Sequence, residues 1–339
     1  MLSPTTTLQI VSFLDMLTIG LLMPQLGNQA IKLGASQILL GTMGALYSGL
    51  QMVSEPMIGS LSDVKGRKPI LMLILIFCGF AYLIQGLTTS LVLFFVIRGF
   101  LGLIRGLPDI NATKDKKSNE ITDGVSPKLL QSVTNSLKQS IDQFYQVDWS
   151  VYWDAFIFKL ILSFCMAIYF SNFAIFLTTK HNATPIYIGY IISFQGIISA
   201  ICTYFIGFIN KLYVKDKDYS QRVSHIFLIL TVSQLGMAVA PSIYVYVLFV
   251  IPFAVAGAIS RIVELEMIVS KGDSERRGSV IGALGTLRSL AGVVTPLVAG
   301  FIAQYLGVTY TVLTAAFLTS IGVVHSYNSQ NVPIRPKRD

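Results

Sequence analysis

Ten apolar segments, each about as long as a helix that crosses a membrane, dominate this sequence of 339 residues. A helix needs roughly 20 apolar residues to cross the hydrocarbon core of a bilayer. Charged residues make up 12% of the chain, whereas soluble domains contain about 25%. The sequence therefore predicts an all-α polytopic membrane protein, with spans at about 8–28, 36–60, 69–87, 89–106, 153–178, 186–210, 224–241, 243–269, 279–303 and 308–326.

One connection between the predicted spans is much longer than the others. It covers residues 107–150 and is polar and charged, although apolar residues recur at helical spacing in its second half. That spacing predicts an amphipathic helix on the membrane surface. The chain is thereby divided into four spans, a linker, six spans and a tail, with predicted boundaries at 1–106, 107–150, 151–327 and 328–339.

Lys and Arg residues are distributed unevenly over the predicted connections. If the N-terminus is cytoplasmic, the connections on that side and the tail contain 19 of the 25 Lys and Arg residues, and the opposite side contains Lys32 and Lys180. Cytoplasmic connections of membrane proteins are enriched in these residues, so we predict that both termini and the linker are cytoplasmic. The net charge of +8 follows from this topology. The expected partner is the lipid bilayer, and nucleic acid is not expected.

The connection after the second span combines glycine and charge in the sequence GSLSDVKGRK. Gly59 is predicted to end the second helix, and Gly66 permits a tight reversal. Asp63 opposes the helix dipole there, so a cationic partner or another helix N-terminus is expected beside it. The simpler interpretation is a turn that only orients the chain.

The same connection resembles the signature loop between helices 2 and 3 of the major facilitator superfamily. Ten consecutive positions fit the pattern, and they lie between the second and third predicted spans, as in that family. In the family this loop latches the cytoplasmic face. The resemblance therefore implies a cytoplasmic gate loop formed by Gly59, Asp63, Gly66, Arg67 and Lys68.

Two other spans carry a resemblance to the drug:proton antiporter branch of that superfamily, which includes tetracycline-efflux-like carriers. The fourth span, VLFFVIRGFLG, places Arg98 and Gly102 on one helix face, and it resembles a motif associated with proton-coupled members. The first span, FLDMLTIGLLMP, carries Asp15. The segments WDAFIFKLILSFCMAIYFSNF and SERRGSVIGALG resemble an orphan animal carrier of the superfamily. The resemblance covers essentially the whole chain and implies the major facilitator fold.

The first half of the chain departs from the family pattern. The family has two halves of six helices, whereas only four spans precede the linker in this sequence. Family helices 5 and 6 are therefore expected to be absent. Helix 5 of the family packs between the halves, so its absence would leave helix 8 without a partner and break the inverted repeat.

Ionisable side chains inside spans are functional candidates, because a charge is costly there. Asp15 shares a polar stripe with Gln9 and Ser12, which favours binding of a proton or a substrate cation. The alternative is a structural ion pair, for which Arg98 is the natural partner. Arg288 lies deep enough in its span to need a partner. By resemblance, these charged groups handle the coupling of transport to protons.

Four further polar residues are secondary candidates for contact with a solute. Lys159 is expected to extend its amine towards the membrane surface. Arg261 and Glu264 lie one turn apart, and an i,i+3 salt bridge between them is as reasonable as solute contact. Gln195 belongs to a polar stripe on its span.

Small residues form ridges on two spans that meet in the family. Gly41, Ala45 and Gly49 recur every four residues on the second span. Such rows allow close helix approach and would suit either static packing or a sliding gate. The matching ridge on the ninth predicted span consists of Gly278, Gly282, Gly285, Ser289 and Gly292.

The sequence contains no nucleophile–base pair, metal-ligand cluster or phosphate-binding loop, so we expect neither an enzyme nor a bound metal or cofactor. The leading hypothesis is a secondary carrier of a small organic solute that uses a proton gradient. The alternative is a non-transporting truncated isoform or regulatory protein of the same family. An ion channel has no support from a filter-like repeat. The charge asymmetry is common to plasma and organelle membranes, so the predicted location is a membrane without selection among them.

Overall fold

The computed structural model describes residues 25–65, 67–104, 149–213, 216, 218–271 and 277–330. Within these ranges the chain is helical apart from short connections, and it contains no strand. This confirms the predicted all-α fold class. Asp15, Gly66 and most of the polar linker lie outside the described residues.

The helices follow the apolar segments closely. Residues 25–32 are helical and precede the first helix with defined bounds. The helices are α1 Gln37–Lys65, α2 Arg67–Leu87, α3 Leu91–Ile104, α4 Trp149–His181, α5 Pro185–Tyr204, α6 Ile206–Leu212, α7 Ser220–Val239, α8 Ile243–Lys271, α9 Arg277–Tyr305 and α10 Val308–Gln330.

Five helices of the described part are long and apolar enough to cross a membrane. They are Tyr152–His181, Pro185–Tyr204, Ser220–Val239, Ile243–Glu264 and Val308–Ser329. Two shorter apolar helices cover Met72–Leu87 and Leu91–Ile104. The count of ten spans and the cytoplasmic termini stay predictions.

Three local features set helix boundaries. α5 begins at Pro185, whose missing N–H would lack a helical partner in the first turn in any case. The span predicted at 186–210 is divided at Phe205, so that α5 and the short α6 share it. Gly307, with a positive φ of +106°, separates α9 from α10, and glycine adopts such a conformation without steric cost.

The chain divides into two compact units. One consists of Met1–Lys32, Ile157–Ser270 and Ile302–Asp339, and the other of Leu33–Phe156 and Lys271–Phe301. The domain boundaries expected from composition stay a prediction.

In the unit that contains α1 to α3, α2 and α3 bury one apolar cluster. Its members are Ile70, Ile74, Cys78, Ala81, Ile97 and Leu101.

The same unit contains a close crossing of α1 and α9. A Cβ placed on Gly41 would collide with the carbonyl oxygen of Pro296, and one on Gly300 would lie 2.7 Å from the carbonyl oxygen of Gln37. Gly44 would meet the Pro296 ring at 3.0 Å. The predicted ridge on α1 is therefore correct at Gly41, but the contact continues through Gly44, because the crossing helices meet along spacings of three as well as four.

In the other unit, a ladder of polar side chains joins α7, α10 and α4. The Thr231 and Thr319 hydroxyls lie 2.9 Å apart. The Thr319 hydroxyl donates to Gln234 Oε1 at 3.1 Å, and Gln234 Nε2 donates to Cys165 Sγ at 2.8 Å. Polar side chains within helical membrane bundles pair across helices in this way, and the ladder fixes these three helices against one another.

Candidate functional site

Arg98 lies buried in α3, with 7% of its surface exposed. Its guanidinium carbon is 4.2 Å from the centroid of the Tyr47 ring in α1. An arginine over an aromatic face gains a cation–π interaction, which is strongest when water is excluded. The predicted candidate Arg98 is thus held within the helical bundle and not extended to its surface.

Gly102, one turn after Arg98, makes this approach of α1 and α3 possible. A Cβ at this position would lie 2.6 Å from the Tyr47 carbonyl oxygen. The Ser54 hydroxyl donates to the Gly102 carbonyl at 3.2 Å across the same interface. Arg98 and Gly102 therefore both face α1, as their four-residue spacing predicted.

The predicted gate loop is only partly described. α1 continues as a helix to Lys65, and α2 begins at Arg67. The prediction that Gly59 ends the second helix is therefore wrong, because a single glycine costs a helix only about 1 kcal/mol. The side chains of Asp63, Arg67 and Lys68, and all of Gly66, lie outside the described residues. Their latch role and the pairing of Asp15 with Arg98 stay predictions.

A partly buried ion pair joins α4 and α8. Lys159 Nζ lies 2.6 Å from Glu264 Oε1, and the two side chains are 15% and 17% exposed. Two predictions are corrected here. Lys159 does not extend to the surface, and Glu264 pairs with Lys159 and not with Arg261, whose side chain is exposed. The pair across two helices neutralises both charges in a partly buried position, whereas an exposed i,i+3 pair gains little.

The contact between α4 and α8 extends beyond this ion pair. Met166 Cε would lie 3.2 Å from a Cβ on Gly257. The rings of Tyr169 and Phe253 follow, with centroids 4.3 Å apart. The partner residue in α8 decreases in number as the α4 residue increases, so the two helices run antiparallel along this seam.

Gln195, a predicted candidate on α5, contacts the same seam. The Tyr169 hydroxyl donates to Gln195 Oε1 at 3.1 Å. Beside Tyr169 lies a small cavity with space for roughly one water molecule. Its polar lining residues are Tyr169, Asn172, Gln234 and Tyr246.

Arg288, the third charged residue predicted to take part in coupling, has an exposed side chain on α9. No ion pair to Arg288 occurs within the residues that the structure describes. Arg261 on α8 is also exposed. Among the predicted candidates that the structure describes, these two arginines have exposed side chains.

Sequence reasoning missed a charged cluster where the connection between α6 and α7 meets α8. Arg222 Nη1 donates to Glu266 Oε2 at 3.0 Å, and Asn210 Nδ2 donates to Glu266 Oε1 at 2.8 Å. The backbone N–H of Arg222 donates to Asp216 Oδ2 at 2.8 Å. The sequence signal was present, since Asp216 lies six residues before Arg222 in a connection otherwise rich in lysine.

Aromatic rings complete this cluster. The Arg222 guanidinium lies 5.0 Å from the Tyr219 ring centroid and 5.5 Å from that of Tyr213. Burial raises the pKa of the Tyr213 hydroxyl, Asp216 raises it further, and Arg222 opposes the change. The same hydroxyl is 2.9 Å from His225 Nδ1. The connection is therefore fixed at both of its ends.

The long apolar helices, with a few charged side chains packed between them, are typical of a helical membrane protein. The sequence matches the Major Facilitator Superfamily over residues 7–113 and 144–337. The chain belongs to the Major Facilitator Superfamily. Membership places it among multi-pass membrane transport proteins and not among enzymes.

Two curated relatives match shorter segments. The chain is 33% identical over 97 residues to tetracycline resistance protein, class H, of Pasteurella multocida, which covers 28% of this chain and 24% of that protein. It is 32% identical over 104 residues to the class B protein of Escherichia coli, which covers 30% and 26%. The matched segments thus span about a quarter of each relative's length.

Solved structures of transporters share the fold over most of the chain. The nucleoside transporter NupG has a TM-score of 0.67 at 15% identity, with 95% of this chain and 98% of that chain covered. A bacterial homolog of the human lysosomal transporter Spinster has a TM-score of 0.67 at 11% identity, with 97% and 98% covered. The human organic anion transporter MFSD10 has a TM-score of 0.56 at 15% identity, with 90% and 89% covered. These likenesses confirm the predicted major facilitator fold.

Proposed function

We propose that the chain is a secondary carrier that moves a small organic solute across a membrane by alternating access, coupled to protons. The observation that carries this proposal is Arg98, which is buried in an apolar helix of a transporter fold. A permanent charge in such a place is costly and is retained where it contributes to transport. Bound cofactors and metals take no part in the proposal.

Asp15 is the proposed proton-binding group, and Arg98 its counter-charge. Protonation of Asp15 would remove one charge of the pair and change the cost of moving these helices. Arg288 on α9 is a proposed third member, because its exposed side chain is available to a charged solute. Gly59, Asp63, Gly66, Arg67 and Lys68 are proposed to form the cytoplasmic latch.

Within the family, we assign the chain to the drug:proton antiporter branch. The local identity to the two tetracycline resistance proteins supports this assignment. The segments quoted above resemble major facilitator superfamily domain-containing protein nine in particular. Family helices 5 and 6 are proposed to be absent from this chain, since the linker directly follows the fourth predicted span.

Flux into proteoliposomes tests the proposal. The purified chain is reconstituted, and uptake of tetracycline, uridine and a set of small carboxylates is measured with and without a proton gradient. We expect at least one solute to move and its rate to depend on the gradient. In Asp15→Asn the gradient dependence is lost, whereas Asp154→Asn, the same change at an exposed carboxylate of α4, retains it.

Two results would contradict this proposal. Absence of gradient-dependent solute and proton movement in well-folded wild-type protein would reject the carrier. Unchanged gradient dependence in Asp15→Asn would reject the assigned coupling residue and leave the carrier standing.

One observation favours a second candidate function, a non-transporting regulatory protein. Only 17% of the α5 span is buried, compared with 28% to 56% for the other four long apolar helices. A Cβ on Gly189, Gly196 or Gly207 would meet nothing within 4 Å. Such small residues permit close approach of another transmembrane helix, which a complete carrier of the family could supply.

Co-expression distinguishes the second candidate from the first. A regulatory chain would co-purify with a complete family carrier and change its flux, while the chain alone would move no solute. Gly196→Leu on α5 would weaken that association, and Gly79→Leu on α2, where space is equally open, would not. Gradient-driven flux by the purified chain alone would reject the regulatory function.

A further inference from the structure

The small cavity beside Tyr169 lies where α4, α7, α8 and α10 meet, inside one compact unit of the chain. Four of its nine lining residues are polar, namely Tyr169, Asn172, Gln234 and Tyr246. All four are buried, with 1% to 6% of their surface exposed. Buried polar atoms are costly unless they are hydrogen-bonded, so the partners of these four side chains decide what the cavity can hold.

Asn172 is hydrogen-bonded through one end of its amide. Its Nδ2 donates to the Ile168 carbonyl oxygen at 3.1 Å. A carbonyl oxygen can only accept, so this contact distinguishes the amide nitrogen from the amide oxygen and directs Oδ1 elsewhere. Within the part of the chain that the structure describes, Asn172 Oδ1 accepts no hydrogen bond. This buried acceptor on the cavity wall therefore needs a donor.

The two tyrosine hydroxyls are arranged so that Tyr246 offers a second acceptor. The single hydroxyl hydrogen of Tyr169 goes to Gln195 Oε1 at 3.1 Å. The hydroxyls of Tyr169 and Tyr246 also interact with each other. Because the hydrogen of Tyr169 is already used, Tyr246 is the donor in that interaction. The lone pairs of the Tyr246 oxygen are left for a donor in the cavity.

Gln234 supplies a donor to the same space. Its Nε2 carries two hydrogens, and one of them is directed to Cys165 Sγ at 2.8 Å. Its Oε1 is occupied, because it accepts from the Thr319 hydroxyl at 3.1 Å. One N–H of Gln234 therefore remains for the cavity.

Two acceptors and one donor match the hydrogen bonds of a water molecule. Buried waters typically make about three hydrogen bonds, and this cavity has space for roughly one such molecule. An ion would have no counter-charge here, because none of the nine lining residues, all of them within the described ranges, is charged. An organic solute needs a pocket of roughly 300–1,000 Å³, which is far larger.

We propose that this cavity is a binding site for one structural water molecule. The water donates to Asn172 Oδ1 and to the Tyr246 oxygen, and it accepts from Gln234 Nε2. It thereby bridges α4, α7 and α8 at a point where these side chains do not bond one another within the described residues. The site goes beyond the proposed carrier function and does not depend on it.

The bound water joins two sets of hydrogen bonds into one network. One set runs from Gln195 on α5 through Tyr169 to Tyr246. The other is the ladder that begins at Gln234 and continues to Thr319 on α10. With the water in place, one continuous network connects α5, α4, α8, α7 and α10.

Radiolytic footprinting of the full chain in lipid nanodiscs tests the site. X-rays convert bound water into hydroxyl radicals, which oxidise the side chains in contact with it, and methionine yields its sulfoxide. Met237 lines the cavity, whereas the equally buried Met267 on α8 does not; they are 1% and 2% exposed. With radicals of the bulk solvent quenched by a scavenger, we expect Met237 to be oxidised at least tenfold faster than Met267, as measured by peptide mass spectrometry.

Variants connect this oxidation to the cavity. Ala315→Val adds two methyl groups to the cavity wall and should lower oxidation of Met237 to the level of Met267. Ala316→Val is the matched control, because Ala316 is equally buried but does not line the cavity; it should leave oxidation of Met237 unchanged. Asn172→Leu removes one acceptor at similar volume and should lower oxidation several-fold, and it decides the test if Ala315→Val does not fold.

Three outcomes would overturn the inference. The first is equal protection of Met237 and Met267 in the wild-type protein. The second is fast oxidation of Met237 that persists in folded Ala315→Val or Asn172→Leu, because the radicals would then come from another source. The third is an equal loss of oxidation in Ala316→Val, which would assign the effect to the packing of α10 and not to a water in the cavity.

Discussion

Arg222 and Glu266 fix the start of α7 to the end of α8 through a hydrogen bond of 3.0 Å between Nη1 and Oε2. The Arg222 side chain is 11% exposed and that of Glu266 is 30% exposed. The same guanidinium donates from Nη2 to the Tyr213 carbonyl oxygen at 3.3 Å. One side chain thus joins the end of α8, the start of α7 and the connection between α6 and α7.

Replacement of Arg222 should destabilise this unit. We expect Arg222→Ala to lower the free energy of unfolding by about 1.5–3 kcal/mol, the range for hydrogen bonds to charged groups. Arg222→Lys should recover little, because an ammonium cannot reproduce the fork of donors. Unfolding in detergent by a denaturing surfactant measures the change, with Lys211→Ala as the control. If Arg222→Lys lowered the free energy of unfolding much less than Arg222→Ala, the proposed role of the guanidinium donors would be contradicted.

Alkaline pH should weaken the same connection through Tyr213. Its pKa is raised in the folded protein by burial and by Asp216, with Arg222 opposing. Above the ordinary tyrosine pKa of about 10, the unfolded chain has lost the proton that the folded chain retains, so stability falls as pH rises. Tyr213→Phe should lack this pH-dependent loss of stability. The measurement is the free energy of unfolding of each protein at pH 9 and at pH 11. The exposed Tyr244→Phe serves as the control and should behave like wild type.

The contact of Arg98 with Tyr47 makes a separate prediction. Tyr47→Leu removes the ring from the guanidinium and should lower stability by about 0.5–2 kcal/mol beyond the effect of packing. Tyr47→Phe keeps an aromatic face and should retain most of that contribution. The comparison is made by surfactant unfolding of the three proteins. Equal losses of stability in Tyr47→Leu and Tyr47→Phe would show that the ring face does not stabilise Arg98.

The helices were predictable because the signal for each is a local run of apolar residues. The break between α5 and α6 at Phe205 was not predictable, because the run of apolar residues continues through it. The partners of charged residues were also harder to predict from the sequence. Glu264 has Arg261 one turn away in sequence, but its partner in the fold, Lys159, is separated from it by 105 residues. Sequence spacing reports neighbours on one helix, whereas the packing of two helices decides which charges meet.

The charged cluster around Arg222 shows a different limit of prediction from the sequence. The positive charge of the connection before α7 was interpreted as a sign of membrane topology, and that interpretation concealed a structural role for Arg222. Asp216 and Glu266 were the evidence for it, because topology alone requires no carboxylate in such a connection. Arg98 was easier to predict, since an arginine inside an apolar run has no ordinary explanation.

The crossing of α1 and α9 depends on glycine at two positions, and this makes the sharpest stability prediction. A Cβ on Gly300 would lie 2.7 Å from the Gln37 carbonyl oxygen, and one on Gly41 would collide with the Pro296 carbonyl. Both obstacles are backbone atoms, which cannot rotate away as a side chain can. Gly41→Ala and Gly300→Ala should therefore force α1 and α9 apart, with a loss of about 1–3 kcal/mol typical of overpacking.

The matched control for this crossing is Gly79→Ala in α2, where a Cβ would meet nothing within 4 Å. Alanine is favoured over glycine in a helix by about 1 kcal/mol, so this change should be neutral or stabilising. If the crossing is as close as the backbone distances indicate, surfactant unfolding should show a loss of stability in Gly41→Ala and Gly300→Ala and no loss in Gly79→Ala. A gain of stability in Gly300→Ala equal to that in Gly79→Ala would mean that the helices separate at this point without cost. In that case the glycines at the crossing would not limit how the two helices pack.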